Sequence, residues 1–277
     1  MCTTDKNGRM DGHEGPHDDA TMLAESMDTV AAWMREAERI TVFTGAGIST
    51  DSGIPDFRGP NGLWTTNPLA EKTSTLSWYL GDPEVRKVAW QGRLRNFNGD
   101  RRPNDGHRAI ARIERSGRLH ALVTQNVDGL HQMGGVSDHL VHEVHGTIRF
   151  AKCVQCADRR PLEHFLDRVR AGEEDPACEL CGGIIKTDVI LFEEPLVPEV
   201  IRAALGAGEE CDLLLAIGST LSVTPAAYVV DRARAAGRRI VIINGGPTER
   251  DMYADVILEG SITPIITSLV DIAGFPA

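Results

Sequence analysis

Six short apolar runs rich in β-branched residues frame this chain: Ile40–Phe43, Leu119–Thr124, Val189–Phe192, Asp212–Ile217, Arg239–Ile243 and Asp255–Leu258. Helical patterns over Ala20–Glu38, His107–Ser116 and Pro225–Ala236 lie between several of them. A strand that leads into a helix returns to its sheet in parallel, and helices then cover both faces. The expected fold class is α/β, a Rossmann-like doubly wound parallel sheet.

Polar motifs stand at the ends of five of these runs. Gly45-Ala46-Gly47 follows the first and Gln125-Asn126-Val127-Asp128 the second. Phe192-Glu193-Glu194 ends the third, Gly218-Ser219-Thr220 follows the fourth and Asn244-Gly245-Gly246 the fifth. Open α/β sheets bind ligands at the carboxyl ends of their strands, so the five loops should converge on one crevice. The ordinary polarity of loops explains any one of them less well than one site explains all five.

The first loop says most. Glycine lets backbone approach a ligand closely, and successive free N–H groups at a strand-to-helix turn suit phosphate oxygens. The dinucleotide fingerprint G-x-G-x-x-G is absent, since Gly47 leads into Ile48-Ser49-Thr50-Asp51-Ser52-Gly53 and then Asp56-Phe57-Arg58. An acid, an aromatic ring and a guanidinium beside a nucleotide loop suggest chemistry on the nucleotide. The plainer reading makes Asp56 a cap and Arg58 a surface charge. Gln125, Asn126 and Asp128 suit ribose hydroxyls and a carboxamide, or equally a helix N-cap.

His145-Gly146 is the candidate for acid–base work, because histidine titrates near neutrality and the glycine leaves room for a ligand against the ring. His131, His139 and His142 lie close by. His131 is expected to bond within the loop after Asp128, and the other two to sit at the surface or a sheet edge.

Cys153-Val154-Gln155-Cys156 and Cys178-Glu179-Leu180-Cys181 have the spacing of a closed four-thiolate zinc site, structural because no position is left for a substrate. A segment with so little to bury would take folding energy from the metal. Of the six cysteines, Cys211 is expected to be buried and Cys2 lies near the start. C-x-x-C pairs point to a metal in a reducing compartment more than to disulfides.

At 277 residues the chain has room for one large α/β domain with a smaller module inserted. Residues 1–20 are expected to form a disordered tail, with His13 and His17 solvated. The Rossmann-like domain is expected to comprise 21–58, 104–150 and 186–277. The inserted domain would combine a helical part, 59–103, with a zinc-ribbon part, 151–185. A net charge of −11 disfavours nucleic acid and is compatible with cationic, lysine-bearing protein substrates. No apolar run approaches a bilayer span and no charged-then-apolar leader opens the sequence, so a cytoplasmic monomer without a membrane partner is expected.

Taken together, these residues resemble the sirtuins, NAD-dependent protein-lysine deacylases. The matching text is GAGISTDSGIPDFRGPNGLW at Gly45–Trp64, TQNVDGLH at Thr124–His131, the His145-Gly146 pair, both C-x-x-C pairs, GSTLSVTPA at Gly218–Ala226, and Asn244. The match runs from about Ala20 to the C-terminus in the family's motif order. The resemblance implies NAD as co-substrate, one structural zinc ion, and acylated-lysine proteins as substrates. Pyrophosphate would lie on Gly45-Ala46-Gly47, and adenosine on Gly218, Ser219, Thr220 and Asn244. Nicotinamide would enter near Ile54, Asn126 and Asp128 with Phe57 over the reacting ribose. Ser49, Asp56, Arg58, Trp64, Gln125, Gly245 and Ser261 would complete the cofactor set. The acyl oxygen would attack the ribose anomeric carbon as nicotinamide leaves, and His145 would act as base on the ribose hydroxyls, with Asn126 and Asp128 also catalytic. Products would be free lysine, nicotinamide and O-acyl-ADP-ribose. Such chemistry must exclude water, which gives the loop Asp56–Trp64 a task.

Some positions depart from the family pattern. Glu193 stands where glycine is usual, on the segment Val189–Glu193 that the resemblance implies pairs with substrate peptide; it puts the usual peptide geometry in question and would favour basic sequences. Gly59-Pro60 and Ser219-Thr220 also differ, and both are expected to be tolerated. Desuccinylating relatives carry Tyr-x-x-Arg, where this chain has Trp90-Gln91-Gly92-Arg93. Trp90 and Arg93 are therefore candidates at the acyl group, against a plainer reading as an apolar anchor and a surface charge. Deacetylation ranks first. Desuccinylation, and ADP-ribosyl transfer to protein, are the alternatives; a non-enzymatic sensor of NAD or ADP-ribose and a hydride-transferring dehydrogenase rank below them.

Overall fold

A computed structural model describes residues 16–55, 68–96 and 101–277. The chain opens with α1 (Pro16–Glu36), which begins inside the stretch read as a tail. It continues through β1 (Ile40–Thr44), a 3-10 turn at Ala46–Ser52, and α2 (Pro68–Thr73), α3 (Leu76–Gly81) and α4 (Pro83–Asn96). Next come α5 (Asp105–Arg115), β2 (Leu119–Thr124), α6 (Leu130–Met133), β3 (Val141–Glu143), β4 (Gly146–Cys153), β5 (Arg159–Pro161), α7 (Leu162–Arg170) and β6 (Ile185–Val189). The last part holds α8 (Pro198–Glu210), β7 (Leu213–Ile217), α9 (Tyr228–Ala235), β8 (Arg239–Asn244), β9 (Val256–Glu259) and α10 (Ile262–Ile272).

Six parallel strands form the large sheet in the order β3-β2-β1-β7-β8-β9. Successive strand residues face opposite sides. Val42, Leu215 and Val241 pack under Met34, Ile110 and Leu269 of α1, α5 and α10. Phe43, Leu214 and Ile242 pack under Ala207 and Val230 of α8 and α9. Helices thus cover both faces, the doubly wound arrangement expected. Among the described residues no helix is long and apolar enough to cross a membrane.

One strand assignment is corrected. Val189–Phe192 is not a strand of the large sheet; β6 ends at Val189 and belongs to a second, antiparallel sheet of order β5-β4-β6. The sixth parallel strand is instead β3, paired through Leu122–Val141, Val123–His142 and Thr124–Glu143. It is an edge strand of three residues and only half-buried, so its sequence carries little apolar signal.

Trp90 of α4, Phe165 and Leu166 of α7, and Ala151 and Ile185 of the small sheet share one core. Residues on both sides of α5 and β2 in the chain therefore form one module, which leans over the carboxyl end of β1, β2 and β7.

Candidate active site

A cleft of about 1340 Å³ runs between the large sheet and the module. That exceeds the usual volume for one small ligand, so two can be held at once. Residues of all five strand-end motifs line it, Asp128 and Gly246 excepted; Phe192-Glu193-Glu194 does so although it follows a strand of the other sheet.

On the sheet side, backbone meets backbone. Gly45 N–H donates to Ile217 O at 3.0 Å and Gly47 N–H to Gly218 O at 2.9 Å. A Cβ on Gly47 would lie 2.8 Å from Gly218 Cα, and one on Gly45 2.7 Å from Gly218 O. No side chain fits between these loops. Gln125 Nε2 donates to Ser219 Oγ at 2.9 Å, tying a third loop to them. Thr220, Asn244, Gly245 and Ser261 extend the same wall. The Gly45 and Gly47 N–H groups are thus taken up by protein carbonyls and are not the free donors expected; what these glycines supply is close approach of backbone to a ligand.

Beneath this wall lies a buried polar network. Asn126 Nδ2 donates to Gly45 O at 3.0 Å and to Ser49 Oγ at 3.2 Å. Ser49 Oγ donates to Asp128 Oδ2 at 2.8 Å and stands 3.4 Å from His107 Nε2. His107 and Asn104 cap α5 reciprocally, and Asn104 Nδ2 also donates to Ile48 O at 2.8 Å. Burial, acting against the Asp128 carboxylate, pushes His107 down to about 4. His131 does not bond within its own loop as expected: its Nε2 reaches Thr44 Oγ1 of β1 at 3.0 Å. Burial holds it neutral, well below the ordinary 6.5. Asp128 and Ser49 support the cleft floor from below, outside the residues that line it.

His145 lines the cleft between the sheet and the module. Its Nδ1 is 3.1 Å from Gln125 O. A carbonyl only accepts, so Nδ1 carries the proton and Nε2 keeps its lone pair. Burial lowers the ring's pKa below the ordinary 6.5, with the Gln125 bond opposing it. The ring is thus a neutral base with its free nitrogen available. Gly146 is at φ +75°, and a Cβ there would stand 2.1 Å from Asp188 O, so the backbone turns where only glycine fits.

The module side is built from side chains. Arg93 lines the cleft, half-buried, so it is not a surface charge. Its Nη2 donates to Thr187 Oγ1 at 3.1 Å, and its guanidinium lies 5.6 Å from the Tyr79 ring and 5.4 Å from the Trp90 ring. Arg93 Nη1 is buried with no hydrogen-bond partner among the described residues. Trp90, proposed at the acyl group, is fully buried 6.1 Å from Phe165 in the module core and does not line the cleft. Val189, Phe192 and Glu193 do line it. Glu193 has a left-handed backbone at φ +72°, and its Oε2 accepts Ser77 N–H at 3.0 Å.

The four expected cysteines cluster. Cys153 and Cys181 sulfurs are 3.5 Å apart, Cys156 and Cys178 sulfurs 3.6 Å, and all four lie within 4.8 Å of one another. A tetrahedron of thiolates at ~2.3 Å from zinc has S···S edges of about 3.8 Å, so the set fits the ion. None of the four lines the cleft, so the ion they would hold is structural. Cys211 is buried, as expected.

Asp56, Phe57, Arg58 and Trp64 lie outside the described residues. Ile54 is half-buried just before that gap, its N–H 3.3 Å from Ser49 O. Sequence reasoning missed His107, Asn104 and Thr187. Asn104 followed three residues later by a polar partner is a capping signal that marks the start of α5, but nothing local points it at a site.

A family model described as Sir2 family matches residues 45–225. An "NAD-dependent protein deacetylase 2" of Streptomyces coelicolor is 44% identical over 231 residues, which span 83% of this chain and 96% of that protein. A solved structure described as "Structural Basis for the Mechanism and Regulation of Sir2 Enzymes" matches with a TM-score of 0.81 at 33% identity, over 90% of this chain and 98% of that one. Another, of a Sir2 variant with a deacetylated p53 peptide and 3′-O-acetyl-ADP-ribose, matches with a TM-score of 0.80 at 28% identity, over 90% and 99%.

Proposed function

The chain belongs to the Sir2 family, and from that premise we propose how its residues carry out NAD-dependent protein-lysine deacetylation. NAD is consumed, giving nicotinamide, free lysine and O-acyl-ADP-ribose. The Gly45–Gly47 turn holds the pyrophosphate, with Gly218, Ser219, Thr220, Asn244, Gly245 and Ser261 along the adenosine half. Asn126 and Asp128, fixed by Ser49, orient the nicotinamide end beside Ile54. Asp56, Phe57, Arg58 and Trp64 belong to the same reading by their place in the motif. His145 Nε2 takes the proton from a ribose hydroxyl, and Val189, Phe192 and Glu193 seat the acyl-lysine peptide. Cys153, Cys156, Cys178 and Cys181 hold one zinc ion that fastens the module and takes no part in the chemistry. The two C-x-x-C pairs favour a reducing compartment, so we read the chain as cytoplasmic, and as a monomer whose inserted module takes in 146–150 and 186–189 as well, where β4 and β6 pair.

The observation that carries this reading is the His145 ring, anchored through Nδ1 with Nε2 open in a cleft large enough for nucleotide and peptide together. The test is a time course with NAD and an acetyl-lysine peptide. Wild type should release nicotinamide and free lysine equally, and His145→Ala should abolish free lysine and end nicotinamide release after at most one turnover per site. Isotope-labelled NAD appearing on protein instead of in O-acyl-ADP-ribose would favour ADP-ribosyl transfer.

A second reading concerns the acyl group. The unpartnered Nη1 of Arg93 supports an acyl chain that ends in a carboxylate. Turnover of acetyl- and succinyl-lysine peptides decides it: a strong succinyl preference that disappears in Arg93→Ala would put desuccinylation first.

A further inference from the structure

Lys186 carries a charge yet is only 2% exposed, and the mechanism above does not use it. Its ammonium donates to Val189 O at 2.7 Å and to Thr187 O at 3.3 Å, and pairs with Glu194 Oε2 at 2.9 Å. An ammonium has three donors, so all are engaged within this one stretch of chain. Glu194 Oε2 also accepts Leu191 N–H at 3.1 Å, which closes a ring of contacts from 186 to 194.

The segment inside that ring is tied on both sides. Ile190 N–H donates to His145 O at 2.8 Å, joining it directly to the residue placed as base. Phe192 N–H donates to Ser74 O at 2.8 Å, and Phe192 O accepts Leu76 N–H at 3.0 Å. Residues 187 and 189–194 meanwhile line the cleft. A buried ion pair is a poor source of stability, because desolvation offsets the attraction and apolar residues often serve as well. What it does supply is a fixed geometry.

We propose that Lys186 is a positioning residue: its buried ammonium, gripped between the Val189 carbonyl and the Glu194 carboxylate, sets the path of Val189–Glu194 as a rail that presents acyl-lysine peptide to His145. The inference rests on the reading that peptide seats on this segment.

Lys186→Met alone strands the Glu194 carboxylate and risks unfolding. The double variant Lys186→Met/Glu194→Gln removes both charges and keeps an acceptor for Leu191 N–H, so it should fold with a melting temperature near that of wild type. In that folded variant the KM for acetyl-lysine peptide should rise about tenfold while the KM for NAD moves less than about twofold. Lys186→Arg, which keeps charge and donors, should hold peptide KM within about threefold of wild type. Peptide and NAD constants rising together would mark a merely structural role and overturn the proposal. A photo-crosslinking acyl-lysine peptide separates the two levels. Labelling at 189–194 with unchanged peptide KM in the double variant overturns the clamp alone. Labelling elsewhere overturns the seating of the peptide, and the clamp with it.

Discussion

On the wall we assign to the cofactor, a Cβ at Gly45 would stand 2.7 Å from Gly218 O and 2.8 Å from Ser219 Cβ, so the two loops leave no room for a side chain between them. On the wall we assign to the peptide, the chain keeps Glu193 in a left-handed backbone, a half-buried Arg93, and a Lys186–Glu194 pair that joins a strand to the loop beyond it. The first wall is rigid because backbone packs directly on backbone, with glycine the only residue that fits. The second depends on contacts between side chains, and on a metal cluster that holds the module together. One should therefore fail abruptly when a single atom is added, and the other when its supports are removed.

Removing zinc should have the largest effect and the clearest asymmetry. Structural zinc contributes roughly 10–16 kcal/mol to small domains that depend on it. A strong chelator, or Cys156→Ala, should unfold the module and abolish turnover of acetyl-lysine peptide. The core of the large sheet contains none of the four cysteines and should keep its own melting transition. Metal analysis should find one zinc per chain in wild type. Peptide turnover by metal-free protein would erase the distinction between the walls.

Gly47→Ala comes next. The added methyl meets Gly218 Cα at 2.8 Å and Ile262 Cδ1 at 2.9 Å, and the first of these cannot rotate away. A displacement of about 1 Å in a reacting site can cost 100-fold, so kcat/KM for NAD should fall by about that much. A folded Gly47→Ala protein with near-normal NAD kinetics would show the cofactor wall to be softer than argued.

How much of this was legible follows the same division. Gly45-Ala46-Gly47, Gly146 and the C-x-x-C pairs announce themselves by residue type and spacing, although the groups that require them, Gly218, Asp188 and the opposite cysteine pair, are distant in sequence. Lys186 and Glu194 do not: each looks like an ordinary solvated charge until β6 places them together. Trp90 and Arg93 are three apart on one helix, yet one points into the module core and the other into the cleft. Their spacing does not say which surface of α4 meets which neighbour. Val189–Phe192 has strand composition, but composition cannot assign a run to one of two sheets, and β3 was lost because a half-buried edge of three residues has no apolar pattern.

Acid should separate the walls more gently. His107 sits at about 4 when folded against an ordinary 6.5. Over that window the unfolded chain binds a proton that the native state refuses, so the contribution is intact above pH 6.5 and is lost as pH falls towards 4. Each pH unit inside the window removes about 1.4 kcal/mol, with His131 adding in the same direction. Melting temperature should fall steeply with acid, and His107→Asn should flatten the slope. Because burial also lowers His145, the acid limb of kcat/KM should lie below pH 6.5. A limb above that value would contradict a neutral, buried base.

Glu193 gives the smallest effect and tests the peptide wall at its least expected residue. A non-glycine at φ +72° costs about 1 kcal/mol in backbone strain, and its bond to Ser77 N–H returns a comparable amount at a site open to water. Glu193→Ala keeps the strain and loses the bond. Glu193→Gly loses both, so it should be the more stable of the two by about 1 kcal/mol, although glycine ordinarily loses more entropy on folding. Glu193→Gln retains an acceptor and should lie close to wild type. Thermal melts of the three rank the effects, and peptide KM should rise by about twofold in Glu193→Ala and Glu193→Gly alike. Alanine matching glycine in stability would mean that the backbone at 193 is unstrained. Glutamine behaving like alanine would mean that the carboxylate charge, and not its bond to Ser77, holds the loop to α3.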